Sequence, residues 1–469
     1  MLRMIDFEKD RLMQSPHLVV RVHQNGFLAH HSLYGYPTVL NEPSVEVLNI
    51  FRQPMSTKDV RLQYDIENLN HWLCYFFERH FLITEHCDER AEVKETVESA
   101  VNEIARGRRL ESLGLVLDEE CNFDCSYCLS KKLIRASGRN VAGLRRMSWS
   151  VAQRAIDCFV AFARRKRKKK LEVYFGGSEP LLNWEVMRRT ILYCLQRYGD
   201  NFNFTFSTNT NASLITRERA EFFRQHEITV ATSLDGLKTV NDAVRRLNTG
   251  RGTFNKILAG WDNLTSVGRK VEWFCLTLTD ENIGDIDEKF FDFIAARGIS
   301  SCSFEPDIIY PMRRPPEEVV EALLNFKRLG TKYGITVGGM WDKPLNNMFE
   351  PNLRKRIFDC SAFTGRGISI LPSGDVLLCS YSATKIGNID NLAEVLRSDR
   401  FRKFITSRAI GNIEACRGCV IEGQCIGGCC ITSEYGHHTG SMEAFYYRCE
   451  LYRRATQILL DDTVKNDSI

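Results

Sequence analysis

Cys121, Cys125 and Cys128 crowd into the short stretch CNFDCSYC. Three thiolates spaced C-x3-C-x2-C can hold three irons of a cubane cluster, and the fourth iron is then free to bind a substrate or cofactor. A zinc site wants a fourth local ligand, and no His or Cys follows nearby. A second crowd lies far down the chain. ACRGCVIEGQCIGGCC, residues 415–430, carries five cysteines: Cys416, Cys419, Cys425, Cys429 and Cys430. Read by itself, that stretch admits zinc, disulfides or iron and sulfur. The chain holds 17 cysteines in all. Its start, MLRMIDFEKDRLMQ, lacks the apolar core of a secretory signal, so a cytoplasmic protein is expected. A reducing compartment disfavours a disulfide framework and makes metal binding or catalysis the default.

The elements that position these cysteines are legible as a pattern. From about residue 110, apolar runs alternate with helical stretches. The runs are LESLGLVLD, LEVYFGG, NFTFSTN, ITVATSLDG, VEWFCLTLTD and ISSCSFEPDI; the helical stretches are 148–163, 184–198, 215–226, 253–267 and 285–297. Such alternation predicts an α/β fold with a parallel sheet and right-handed crossovers. Functional groups then gather at the C-terminal ends of the strands, where CNFDCSYC falls. Six such units followed by a cysteine-rich tail predict a partial barrel with an appended metal-binding domain.

Together with its place after the first strand, and with Tyr127 just before the third cysteine, the motif resembles the signature of the radical S-adenosylmethionine (SAM) superfamily. The resemblance implies a partial (β/α)6 TIM-like barrel and a [4Fe–4S] cluster on Cys121, Cys125 and Cys128. The open iron would chelate the amino and carboxylate groups of SAM. One electron would then cleave the sulfonium to a 5′-deoxyadenosyl radical, with the protein orienting and shielding the cofactor. FGGSEP resembles the family's Gly-Gly-Glu-Pro element, so Gly176 and Gly177 are expected to let backbone approach the methionyl ammonium and Glu179 to add charge. Ser178 departs from the commoner Gly or Glu, a small change for which only a local adjustment is expected. By the same resemblance Ser207 and Asn209 of FSTNTN face the ribose and carboxylate, and Ser233 and Asp235 of SLDG end the fourth strand. Arg245 is expected to pair with the SAM carboxylate, which a guanidinium suits through two parallel hydrogen bonds. Taken singly, these polar strand ends also read as turn and capping chemistry.

The tail reads Cys360, Gly374, Cys379, Cys416-x2-Cys419-x5-Cys425-x3-Cys429 and then Cys449. This spacing resembles the SPASM domain, which implies two auxiliary [4Fe–4S] clusters. Cys416, Cys419, Cys425 and Cys449 would ligate the outer one, and Cys360, Cys379 and Cys429 the inner one. The inner set is short by one ligand, and PNLRKRIFDC supplies none. Either its cluster has an open iron, or Cys302 or Cys430 completes it.

Ahead of the barrel, HLVVRVHQNGFLAHHS reads as two strands around the turn HQNG. Helices follow after the capping residue Asn41, after Ser56 and in ENLNHWLCYFFERHF, and FLITEHC closes with a strand. The layout resembles the winged-helix-like peptide recognition element of ribosomal-peptide maturases, which implies a leader peptide bound as an added strand. The expected division is 1–90 recognition domain, 91–109 helical linker, 110–310 barrel, 311–359 bridging region and 360–469 SPASM domain. Net charge is +4, too slight to imply nucleic acid. The basic run Arg164–Lys170 reads as a solvated helix end, or else as a patch for an acidic partner. No apolar run approaches the roughly 20 residues of a membrane span. The expected partners are therefore a ribosomal precursor peptide and an electron donor such as flavodoxin or ferredoxin, with no nucleic acid and no membrane. The expected reaction is hydrogen abstraction from that peptide followed by an intramolecular cross-link: a carbon–carbon cyclophane, a thioether or an ether. The alternative is a sulfatase-maturating enzyme making formylglycine. Those relatives carry Asp directly after the Gly-x4-Cys cysteine, where this chain has Ser380.

Overall fold

The computed structural model describes residues 10–24, 26–136, 145–271, 273–350 and 356–464. Asn25 of the expected HQNG turn and residues 351–355 upstream of Cys360 lie outside them. The N-terminal region runs β1 (Arg11–Gln14), β2 (Leu18–His23), β3 (Gly26–His31), β4 (Gly35–Leu40), α1 (Glu42–Ile50), β5 (Met55–Ser56), α2 (Thr57–Gln63), α3 (Leu69–Glu78) and β6 (Leu82–Thr84). β2, β3 and β4 form one antiparallel sheet, and β1 sits between β5 and β6 in another. Two helices start where capping chemistry directs. The Asn41 side chain accepts from Ser44 N and the Ser56 side chain from Asp59 N, each satisfying a donor that the first turn leaves open. Leu12, Phe51, Leu73, Phe76 and Phe81 close a core of their own. β1, β4 and β5 are additions to the expected layout. β1 and β5 are short and pair only with segments distant in sequence.

The expected linker is α4 (Glu89–Ala105), capped by Asp88. It is a packed helix rather than a spacer, because Val93, Val97, Val101 and Ile104 enter the main core.

β7 (Ser112–Asp118) opens the barrel. After it come α5 (Leu129–Ala136), α6 (Trp149–Arg165), β8 (Lys170–Gly177), α7 (Trp184–Tyr198), β9 (Asn203–Asn209) and α8 (Arg217–Gln225). Then follow β10 (Thr229–Ser233), α9 (Lys238–Val244), α10 (Phe254–Ser266), β11 (Trp273–Leu278), α11 (Glu288–Ala296) and β12 (Ser301–Pro306). The six strands are adjacent and parallel, in sequence order. Alternation divides them. Phe204, Phe206, Phe274 and Phe304 are buried on one face, with Phe274 and Phe304 packed on the rings of α11 and the helix after β12. Tyr174, Ser207, Cys275, Ser303 and Glu305 occupy the other, half-buried face and line the lumen. The basic run caps the outside of this wall. It spans the end of α6 and the start of β8, mostly exposed, with Arg164 over the Tyr198 ring.

The chain continues through α12 (Pro316–Lys332), β13 (Thr336–Gly338), α13 (Lys343–Met348), β14 (Gly367–Ile370), β15 (Asp375–Leu377), β16 (Gly387–Asn388), α14 (Leu392–Arg397) and α15 (Asp399–Ser407). α16 (Glu422–Cys425), α17 (Cys430–Thr439) and α18 (Glu443–Val464) end it. Both edges of the six-stranded sheet are extended. β13 pairs parallel with β12, and β14 pairs parallel with β7 and carries β15 and β16 beyond it. The cysteine-rich tail therefore shares the barrel's sheet.

The N-terminal region is braced on that tail. Arg21 grips Asp461 through both terminal nitrogens, at 3.0 and 2.7 Å, and His23 Nδ1 lies 2.8 Å from the same carboxylate. Gly423 N donates to Ser32 O, and His30 Nε2 lies 2.8 Å from Val420 O. Arg90 donates to both oxygens of the buried Glu422, at 3.1 and 2.9 Å. Arg90→Ala strips a buried carboxylate of its cation, at an expected cost of about 1–3 kcal/mol. Limited proteolysis should then cut faster ahead of α4, and an unchanged digestion pattern would show that the brace is idle.

Candidate active site

β7 ends at Asp118, a buried carboxylate that accepts from Glu120 N at 2.9 Å and from Arg146 Nε at 2.7 Å. The loop that follows carries the first three cysteines and is pinned to the segment after α9. Phe123 is buried and bridged to Leu247, Asp124 N donates to Arg246 O, and Asn248 Nδ2 donates to Cys121 O. Donors also converge on one sulfur. Phe123 N lies 3.4 Å and Asn211 Nδ2 3.7 Å from Cys121 Sγ. Even so, burial pushes the bare Cys121 thiol up to about 12 and Cys125 up to about 11. Thiolates in this loop thus need a bound cation, which is what iron supplies. Among the described residues, no three His, Cys, Asp or Glu side chains close on a single metal ion. Cys121 lies within electrostatic reach of Cys125 and Cys128, the neighbourhood that ligands of one cluster require.

The glycine element ends β8 against this loop. Gly177 has φ +118°, and a Cβ there would stand 2.4 Å from Asp118 O. Ser178 turns back, with N donating to Asp118 O at 2.9 Å and Oγ to Glu119 O at 3.0 Å. Glu179 is fully buried, and both its oxygens are engaged. Oε1 accepts from Leu181 N and Thr210 Oγ1, and Oε2 accepts from Asn211 N at 2.8 Å. Its carboxyl ties the end of β8 to the end of β9, and burial still raises its pKa. Gly177→Ala combines a backbone clash with a left-handed residue, at an expected cost of about 1–3 kcal/mol. A denaturant melt at or above wild-type stability would remove that role.

Ser207 and Asn209 lie on the lumen face of β9, where Ser207 Oγ reaches Glu172 at 3.4 Å. Ser233 ends β10 in register with Cys275. Tyr127, Asp235 and Arg245 form one buried network. Arg245 Nη1 donates to Tyr127 OH at 2.5 Å and lies 3.3 Å from Asp235 Oδ2, and Tyr127 OH donates to the same oxygen. Asp235 Oδ1 accepts from Thr277 N at 3.0 Å. Arg245 Nε is buried with no hydrogen-bond partner among the described residues. The cation is felt by Cys125, so the network links the cysteine loop to the ends of β10 and β11.

In the tail, Cys416, Cys419, Cys425 and Cys449 lie within one another's electrostatic reach, and Cys360, Cys379 and Cys429 form a separate set. The division is built into the backbone. Ile426, Gly427 and Gly428 all take positive φ, of 49°, 70° and 58°, which turns Cys425 and Cys429 to different sets. Cys425, Cys429, Arg448, Cys449 and Tyr452 line a small cavity between them. Cys430 is buried and feels Cys429, Cys379 and Cys360. Cys302 lies on the helix side of β12, with Cys275 as its thiol neighbour.

The sequence reading passed over the lumen itself. The Tyr174 and Tyr381 hydroxyls pair there, with Cys379 and Cys275 beside them. Ser303 bonds to both Cys275 and Glu305, and Cys275 also feels Asp235 and Arg245. The signal available was the alternation of β11 and β12, which puts Cys275, Ser303 and Glu305 on the face opposite Phe274 and Phe304. These side chains thus connect the Asp235–Arg245 network to Cys379 of the inner thiol set.

Residues 117–293 match the radical SAM superfamily model, and residues 360–420 match SPASM, an iron–sulfur cluster-binding domain. The chain is 23% identical over 453 residues to the radical SAM cyclopropyl synthase TigE of Paramaledivibacter caminithermalis, covering 94% of each chain. Native anSMEcpe with bound AdoMet has a similar fold, with a TM-score of 0.60, 16% identity and coverage of 76% of this chain and 99% of that one. Streptococcus suis SuiB bound to S-adenosylmethionine follows, with a TM-score of 0.51, 16% identity and coverage of 89% and 96%. Residues 117–293 thus form a radical SAM domain, residues 360–420 form a SPASM iron–sulfur cluster-binding domain, and the chain that carries both is an enzyme.

Proposed function

We propose that the protein is a peptide maturase that joins two atoms of a ribosomally made precursor by removing two hydrogens. The observation that carries the reading is the colinear match to a cyclopropyl synthase across 94% of both chains, N-terminal region and tail included. That relative's name supports bond formation between carbons, ahead of a thioether or an ether.

SAM bound at a cluster with an open iron would supply the radical chemistry that starts the reaction. Cys121, Cys125 and Cys128 would hold that iron's cluster. Gly176 and Gly177 admit the methionyl backbone, with Ser178 and Glu179 fixing the turn, while Ser207, Asn209 and Ser233 edge the nucleoside side. Tyr127 and Asp235 orient Arg245, whose free Nε is left for the SAM carboxylate. Cys416, Cys419, Cys425 and Cys449 hold an outer auxiliary cluster. Cys360, Cys379 and Cys429 hold an inner one, and the proximity of Cys430 to all three supports it as the missing ligand. Clusters held there would supply an acceptor for the second electron. The N-terminal sheets bind the leader, and a flavodoxin- or ferredoxin-type donor supplies the first electron.

The test is anaerobic co-expression with each short reading frame flanking the gene, followed by mass spectrometry. A peptide lighter by two hydrogens supports the reading. A peptide of unchanged mass with inverted stereocentres overturns it, as does formylglycine formed on a sulfatase-derived peptide.

A further inference from the structure

The lumen holds one acid that the scheme above does not use. Glu305 sits on the lumen face near the end of β12. Oε1 accepts from Ser303 Oγ and from Met340 N, each at 2.8 Å. Oε2 is shielded from solvent and has no hydrogen-bond partner among the described residues. A shielded carboxylate oxygen without a donor is costly and calls for a missing partner.

Its surroundings indicate which partner. Toward the cysteine loop stands Cys275 on β11, itself within reach of Asp235 and Arg245. On the other side stands the buried Arg448 of α18, whose Nη1 donates to Pro306 O at 2.9 Å and which feels both Glu305 and Cys429. Tyr452 of α18 and Asp342, just ahead of α13, also face Glu305. Glu305 and Cys429 of the inner thiol set therefore lie within electrostatic reach of one guanidinium.

We propose that Glu305 is the general base of the bond-forming step. This rests on the cross-linking reading above. Once a hydrogen atom has been removed from the substrate, the new bond forms as the partner atom's bond to hydrogen breaks. The proton goes to Glu305 Oε2, and the remaining electron goes to an auxiliary iron–sulfur cluster, so that two hydrogens leave in all. Arg448 would hold the receiving charges together. Burial raises the carboxyl's pKa above the usual range, which makes it a stronger base than a solvated glutamate.

The test uses the full enzyme and the precursor peptide recovered in the co-expression experiment. Glu305→Gln is expected to keep the wild-type iron content, to bind the peptide in the absence of SAM within about threefold of wild type, and to keep forming 5′-deoxyadenosine. Product should fall by about 100-fold or more, the scale of a lost general base. Glu305→Asp, which retains the acid, should recover part of the product. Unchanged product in Glu305→Gln overturns the assignment. So does a parallel fall of 5′-deoxyadenosine and product, or a loss of iron in both variants, since each makes the residue structural. Wild-type enzyme that yields no peptide lighter by two hydrogens fails the cross-linking reading instead, before any variant is compared.

Discussion

Cys125→Ala is expected to bring 5′-deoxyadenosine formation down to the no-enzyme background while leaving the tail clusters in place. The reaction needs an iron with an open position, and two thiols cannot hold a cubane as three do. Cys125 is also the thiol that lies nearest in charge to Arg245, so its loss removes an anion that the buried cation faces. Iron should drop by about four per chain, the content of one cubane, and the spectrum of the tail clusters should persist. Iron and sulfide analysis with electron paramagnetic resonance reads the first outcome, and chromatography of the nucleoside reads the second. Continued 5′-deoxyadenosine formation would move the chemistry away from the β7 loop. A total loss of iron would mean that the loop and the tail assemble as one unit.

Arg245→Leu should be the most damaging change to stability outside the cysteines. Asp235 is fully buried and Arg245 nearly so, and each relies on the other and on Tyr127. Removing the cation leaves a carboxylate in the interior, which costs about 3–5 kcal/mol. The double variant Arg245→Leu with Asp235→Leu should recover much of that, because the stranded charge is gone. Denaturant melts of the four proteins check this as a cycle. Equal losses in the single and double variants would show that packing, not charge, is at stake. SAM affinity should fall in both, since the free Nε is absent from each.

Much of the barrel was legible because its strands are long apolar runs separated by amphipathic helices. β7 to β12 and the five long helices fall where the pattern puts them. β13 and β14 were not, for a physical reason. Each is a strand of three or four residues whose identity comes from the edge it joins, and nothing local marks Thr336–Gly338 or Gly367–Ile370 as part of a sheet begun far upstream. β1 and β5 escaped in the same way. At the site, cysteine spacing is strong evidence because a cluster imposes it. At Glu179 the motif says nothing of a second role, the tie that both its oxygens make between the ends of β8 and β9. Cys275 and Glu305 were visible as alternating positions, but their importance depends on Arg448 and the inner thiols, which arrive from the far end of the chain.

The pairing of β14 with β7 has a consequence for how the protein is made. On the ribosome, β7 emerges long before residues 367–370 exist, so one edge of the nascent sheet stays open while most of the enzyme is synthesised. A truncation ahead of Cys360 would leave that edge open permanently. It should yield aggregated material rather than a smaller working barrel, so the auxiliary domain serves the barrel as a folding partner as well as a carrier of metal.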